Sequence, residues 1–235
     1  QAYCREHMEL FIVRRNFNSI YADGSDLLQQ LQAQTKVTLF EQDKETGLQE
    51  LFERLMAIMG ERMQLRNEFV QQNGLTRGDP QNTVRAFEYI HAHSTPLMVI
   101  FENYYEFAKS LYDGQAVMFA ELFRAQDPNT TSKKNNGYGY NIYYTACFGP
   151  GEYTLTAAQT PMADCFNPQK FTLMFGGQLD KCGAVPLPRD YLAINEPDEH
   201  YNHCVMYYQG RLAGLSLPCG ELVHVEPDPD EVPII

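Results

Sequence analysis

At 235 residues, 44% hydrophobic and 20% charged, the chain can bury a sizeable core and is not a mostly disordered polypeptide. Its net charge of −12 makes nucleic acid and anionic membrane poor partners, because an acidic surface repels phosphate. No apolar run is long enough to span a bilayer. No signal peptide is visible and the chain starts at Gln1 rather than Met, which reads as a processed protein or a piece of a larger one.

Residues 1–128 read as a helical region. Cys4, Met8, Phe11, Ile12 and Arg15 suit a first amphipathic helix. Tyr21-Ala-Asp-Gly makes a turn, Ser25 caps a helix through Leu27, Leu28 and Leu31, and Val37 to Phe40 is its end or a strand. The clearest element runs from about Leu48 to Val70, with Leu48, Leu51, Phe52, Leu55, Met56, Met59 and Met63 at helical spacing. Thr46 and Gln49 fit a capping box, and Asn73-Gly74 a left-handed stop. Asp79-Pro80 starts a further helix carrying Val84, Phe87 and Ile90. Thr95-Pro96 starts another, with Leu97, Phe101, Tyr104, Ala108 and Leu111 inward, and a short one covers Val117 to Ala125. With short connections these predict an antiparallel bundle.

Residues 137–226 read as a Cys- and Tyr-rich β subdomain after a polar seam. Tyr138 to Cys147, Glu152 to Ala158, Phe171 to Phe175 and Leu222 to Val225 are expected strands. Val205 to Tyr208 and Leu212 to Leu217 flank a hairpin turn at Gln209-Gly210. Residues 227–235, acidic and Pro-rich, read as an extended linker, with any membrane tether outside the chain. The expectation is an α+β protein: an N-terminal helical bundle with a C-terminal antiparallel β subdomain braced by disulfides.

The bracing rests on an even cysteine count: Cys4, Cys147, Cys165, Cys182, Cys204 and Cys219. Cys204 and Cys219 flank the hairpin and pair across it or with neighbouring strands; Cys4 ties the first helix to the β half, stays free or pairs with another chain. Disulfides persist outside the reducing cytosol, so an extracellular, luminal or periplasmic location follows. Asn129-Thr-Thr is a glycosylation sequon in an expected loop.

Candidate ligand-binding residues are Tyr138, Tyr140, Tyr144, Tyr201 and Tyr207, because tyrosine joins an apolar ring to a polar tip, with Glu196 and Asp198 beside them. No cofactor is expected. The segment Glu196 to Cys204 nevertheless concentrates metal donors: Glu196 and Asp198 suit calcium, and His200 and His203 suit zinc. Arg77-Gly78-Asp79 is the integrin-recognition tripeptide, although Asp79 also has the job of a helix cap. Glu102 and Glu106, four apart near Lys109, read as a solvated helix face rather than an acid–base pair.

Glu196-Pro-Asp, then Cys204, then Leu217-Pro218-Cys219 resembles the closing part of the C-type lectin family. The resemblance implies calcium and sugar held near Glu196 and a short disulfide between Cys204 and Cys219. The chain departs from that family in having no Trp. Ala213-Gly214-Leu215-Ser216 stands where the family carries a Trp-Asn-Asp motif, and Val225 stands at its final cysteine.

No Gly-x-Ser-x-Gly elbow, Walker loop or dinucleotide fingerprint occurs. The expected function is therefore a non-catalytic recognition domain, the ectodomain of a surface protein or receptor, with a protein or small extracellular ligand as partner. The alternatives are a secreted hydrolase using carboxylates or a metal in the 196–203 loop, and an adhesion protein self-associating through its helices.

Overall fold

The structure, a computed structural model, describes residues 8–15, 17–76, 79–124, 140–160, 162, 165–166, 171–175, 182–187 and 203–216. Two compact units divide the chain: residues 1–168 with 181–184, and residues 169–180 with 185–235.

The first unit is not a helical bundle. β1 (Glu9–Arg14), β2 (Lys36–Glu41), β3 (Leu97–Phe101) and β4 (Ile142–Ala146) form a parallel sheet in the order β2-β1-β3-β4. β1 is central, pairing Glu9 with both Lys36 and Leu97 and Val13 with both Phe40 and Phe101. Between the strands run α1 (Asp26–Gln34), α2 (Glu45–Gln72), α3 (Pro80–His93), α4 (Tyr104–Ser110) and α5 (Asp113–Arg124); α6 (Glu152–Gln159) follows β4.

The sheet is covered on both faces. Phe11, Val13, Phe40, Leu97, Val99, Phe101 and Ile142 meet Leu51 and Leu55 of α2, Ile90 of α3, Phe107 of α4 and Phe119 and Phe123 of α5. Leu10 and Ile12 alternate to the other face, where α1 supplies Leu28. Each fully buried Phe or Leu contributes roughly 1.5–3 kcal/mol relative to exposure. Burial on both faces explains the corrected expectation. Leu10-Phe-Ile-Val13 and Leu97-Met-Val-Ile-Phe101 are continuous apolar runs without alternation, and such runs resemble helix segments when read alone.

Local signals that do not depend on the sheet held. Ser25 caps α1, accepting from Leu28 N, and Asp79 caps α3, accepting from Gln81 N. Leu48, Leu51, Leu55 and Met59 form the buried stripe of the 28-residue α2. Its start differs from the expected capping box, since Lys44 stands at the N-cap without a side-chain bond. Its first turn packs closely against β2, where a Cβ on Gly47 would lie 2.4 Å from the Glu41 carbonyl oxygen. Glu152 to Ala158, expected as a strand, is helical. Gly151 at φ +77° begins the turn and Glu152 accepts from Gly149 N.

Arg62 continues the α2 stripe yet is charged. Its guanidinium donates to the Tyr140 carbonyl at 2.5 Å and the Thr95 carbonyl at 2.7 Å, sealing the amino edge of β3 and β4. Burial lowers its pKa to about 10, while Tyr144, Glu61, Glu9 and Tyr143 oppose the shift, so it stays charged at neutral pH.

The second unit carries an antiparallel sheet, β5 (Phe171–Phe175), β6 (His203–Tyr208) and β7 (Arg211–Ser216), in that order. Gln209 at φ +48° and Gly210 at φ +84° make the expected two-residue hairpin, a type I′ turn.

No disulfide braces either unit among the described residues. Cys147, Cys165, Cys182 and Cys204 form no disulfide, which corrects the expected framework and the Cys204–Cys219 bridge. Cys165 and Cys204 are buried and pack as small apolar residues. Cys4 and Cys219 lie outside the described residues, as do the seam at 129–137, the expected strand at 222–225 and the tail at 227–235.

Candidate functional site

Open parallel sheets bind ligands outside the carboxyl ends of their strands, where the strand order reverses. Here β1 leads to β2 on one side and lies against β3 on the other, so the reversal falls between β1 and β3. The loop from β1 to α1, described at 15 and 17–25, and Glu102 after β3 meet at that point.

The Glu102 carboxylate takes three donors from this loop. Oε1 accepts from the Ser19 hydroxyl at 2.9 Å and from Ile20 N at 2.7 Å, and Oε2 accepts from Arg15 N at 3.4 Å. Ser19 Oγ in turn accepts from Tyr21 N at 3.0 Å. Arg14, 7% exposed, donates to the Tyr21 carbonyl and reaches Asp23 at 2.8 Å. Ser25 donates to the Ile20 carbonyl at 3.2 Å. Asn18 takes φ +58° within the loop. Hydrogen bonds to an ionised carboxylate are roughly twice as strong as neutral ones, so the loop is held in one shape.

The same loop presents apolar side chains to solvent. Phe17 is 76% exposed and Ile20 61%, with Leu27 of α1 next in line. Asp23, Asp26 and Asp43 stand at the same strand edge. Asp26 in the first turn of α1 opposes an incoming phosphate where a helix N-terminus would otherwise favour one.

Cys147, directly after β4, is exposed as a residue, but its thiol is turned in beside Glu102 and partly desolvated. Desolvation, then the Glu102 carboxylate, pushes its thiol pKa up, so it is not primed as a nucleophile. Desolvation, then Cys147 and Glu102, likewise raises Tyr21.

The sequence candidates fall elsewhere. Tyr140 is buried against Phe87 at 5.6 Å, and Tyr144 packs on Phe123 at 4.7 Å with its hydroxyl buried and unpaired among the described residues. Tyr144 thus faces the core from β4, and Tyr140, two residues before that strand, is buried in the same core. Tyr207 is buried in the second unit. His203 opens β6, whereas Tyr138, Tyr201, Glu196, Asp198, His200, Asn129, Arg77 and Gly78 lie outside the described residues. Among the described residues no three His, Cys, Asp or Glu side chains are placed to hold a metal ion. No described helix is long and apolar enough to cross a membrane.

Sequence reasoning assigned Glu102 to a helix surface with Glu106. The available signal was its place, a lone carboxylate straight after the apolar run Leu97–Phe101. A separate cleft of about 350 Å³ lies between α4, α5 and α6, lined in part by Tyr105, Lys109, Asp113, Val117, Thr156 and Gln159.

The class defined by this geometry is an open, doubly wound parallel α/β domain with its strand-end crevice occupied by its own side chain. No family model matches the chain, and no curated protein matches it. A solved structure, "The cytoplasmic domain of EssC", is similar, with a TM-score of 0.54 and 11% sequence identity, over 90% of this chain and 33% of that one. At this identity the likeness shows the fold alone, and the chain spans about a third of that structure's length. That structure is a cytoplasmic domain, and the four described cysteines form no disulfide. These findings correct the expected extracellular, luminal or periplasmic location and the disulfide bonding that supported it.

Proposed function

We propose that this chain is a non-catalytic interaction domain whose β1–α1 loop docks a protein partner. The observation that carries the reading is the Glu102 carboxylate. It takes up donors at the strand-end crevice and holds the loop so that Phe17 and Ile20 face solvent. A rigid loop with exposed apolar side chains loses little entropy on binding, which favours recognition over chemistry. The neighbouring Asp23, Asp26 and Asp43, within a chain of net charge −12, suit a partner segment with an apolar face flanked by Lys or Arg.

A phage-displayed random peptide library panned on the folded chain tests this. Peptides that combine apolar and basic residues should be enriched. Their affinity should fall by about tenfold or more in Phe17→Ser/Ile20→Ser, and remain unchanged in Val84→Ser, an exposed apolar control on α3. Enriched peptides that bind the double variant as tightly as the parent chain would overturn the docking loop.

A further inference from the structure

We infer that the β1–α1 loop is an anion-binding site whose resident ligand is the protein's own Glu102 carboxylate. Three donors from one loop converge on a single carboxylate that arrives from a different strand, 82 to 87 residues further along the chain. Two of them are backbone N–H groups, a type of donor that exists whatever occupies the site. The Arg14 guanidinium braces the same loop from beneath, donating to the Tyr21 carbonyl and to Asp23 at 2.8 Å. It is 7% exposed, and its Nε is buried without a partner among the described residues.

The site should accept a small monocarboxylate. Three donors match the two oxygens of one carboxylate, and Asp23 and Asp26 disfavour a more highly charged oxoanion. Truncation of Glu102 to Ala removes the Cγ methylene with its carboxylate, a fragment with the shape of acetate. Acetate is therefore the matched probe. The inference shares the loop with the docking reading but requires no partner, so peptide binding and anion binding can fail separately.

The experiment follows the Arg15 and Ile20 amides by NMR in the parent chain, Glu102→Ala and Glu102→Gln, titrated with sodium acetate or sodium chloride at equal ionic strength. In Glu102→Ala, Ile20 amide exchange should rise about tenfold or more, as expected for a lost charge-assisted hydrogen bond. Acetate should then shift both amides saturably toward their parent positions and slow the exchange, while chloride does neither. The parent chain, already filled, should not respond. Glu102→Gln keeps the side-chain volume and so guards against a folding defect; its Ile20 exchange should rise less, with no acetate response. The inference is overturned by parent-like Ile20 exchange in both variants, by equal effects of acetate and chloride on Glu102→Ala, or by saturable acetate binding to the parent chain or to Glu102→Gln.

Discussion

The two sheets were assembled from different kinds of information. In the antiparallel sheet, β6 and β7 are joined by Gln209-Gly210, and Tyr208 faces Arg211 directly across the turn. Turn chemistry and alternation lie within a few residues, so the hairpin reads from sequence. In the parallel sheet, β1 finds β2 and β3 only after long excursions through helices, and Phe11, Ile12 and Val13 are fully buried. Parallel pairing cannot use a short turn, and burial on both faces removes the polar alternation that marks a strand. A hairpin is thus a local property of this chain, and the parallel sheet is a property of its whole first unit.

Three substitutions test that contrast. The largest effect belongs to Phe101→Ala in β3. Phe101 is fully buried, with ring centroids 4.6 Å from Phe107, 5.2 Å from Tyr104 and 5.6 Å from Phe123. Its truncation should cost about 3–5 kcal/mol in urea denaturation followed by near-UV signals of the first unit. A cost below about 1 kcal/mol would mean that the aromatic core does not hold the parallel sheet.

Gly210→Ala is next. At φ +84° an added Cβ opposes the turn, while nothing lies within 4 Å to clash with it. The penalty should be about 1 kcal/mol, read as faster amide exchange in β6 and β7. Gly210→Asn, suited to a type I′ turn, should restore most of it. An alanine cost as large as that of Phe101→Ala would break the contrast between local and non-local sheets.

The smallest effect at neutral pH is Tyr144→Phe. The hydroxyl is buried without a partner among the described residues, so its loss should change stability by less than about 1 kcal/mol, toward stabilisation. Alkali separates the two proteins. Burial raises the Tyr144 pKa from the ordinary 10.0, opposed by Arg62 and reinforced by Cys165. Above pH 10 the unfolded chain therefore binds fewer protons at this residue than the folded one. Its contribution is full below that pH and is lost as pH rises. Denaturation midpoints between pH 9 and 11 should fall less steeply for Tyr144→Phe, and parallel slopes would rule out this assignment.

Much of the local structure was legible from the chain itself: Ser25 and Asp79 as caps, the Leu48 to Met59 stripe and the Gln209-Gly210 turn. Each depends on residues a few positions apart. β1 and β3 were legible only as apolar runs, and α6 was mistaken because Tyr153, Leu155 and Ala157 alternate by chance across a helix. The cysteine count misled because burial, rather than bonding, accounts for Cys165 and Cys204. Glu102 was visible as a carboxylate but not as a partner of Ser19, since nothing in its own neighbourhood names a residue 83 positions earlier.

Composition and short-range pattern by themselves settled that the chain folds, where α1 and α3 begin and where the hairpin turns. Tertiary structure alone decided that the apolar runs are strands of one parallel sheet. Their backbone groups can be satisfied in the core only by distant strands, and that pairing delivers Glu102 to the donors of the β1–α1 loop.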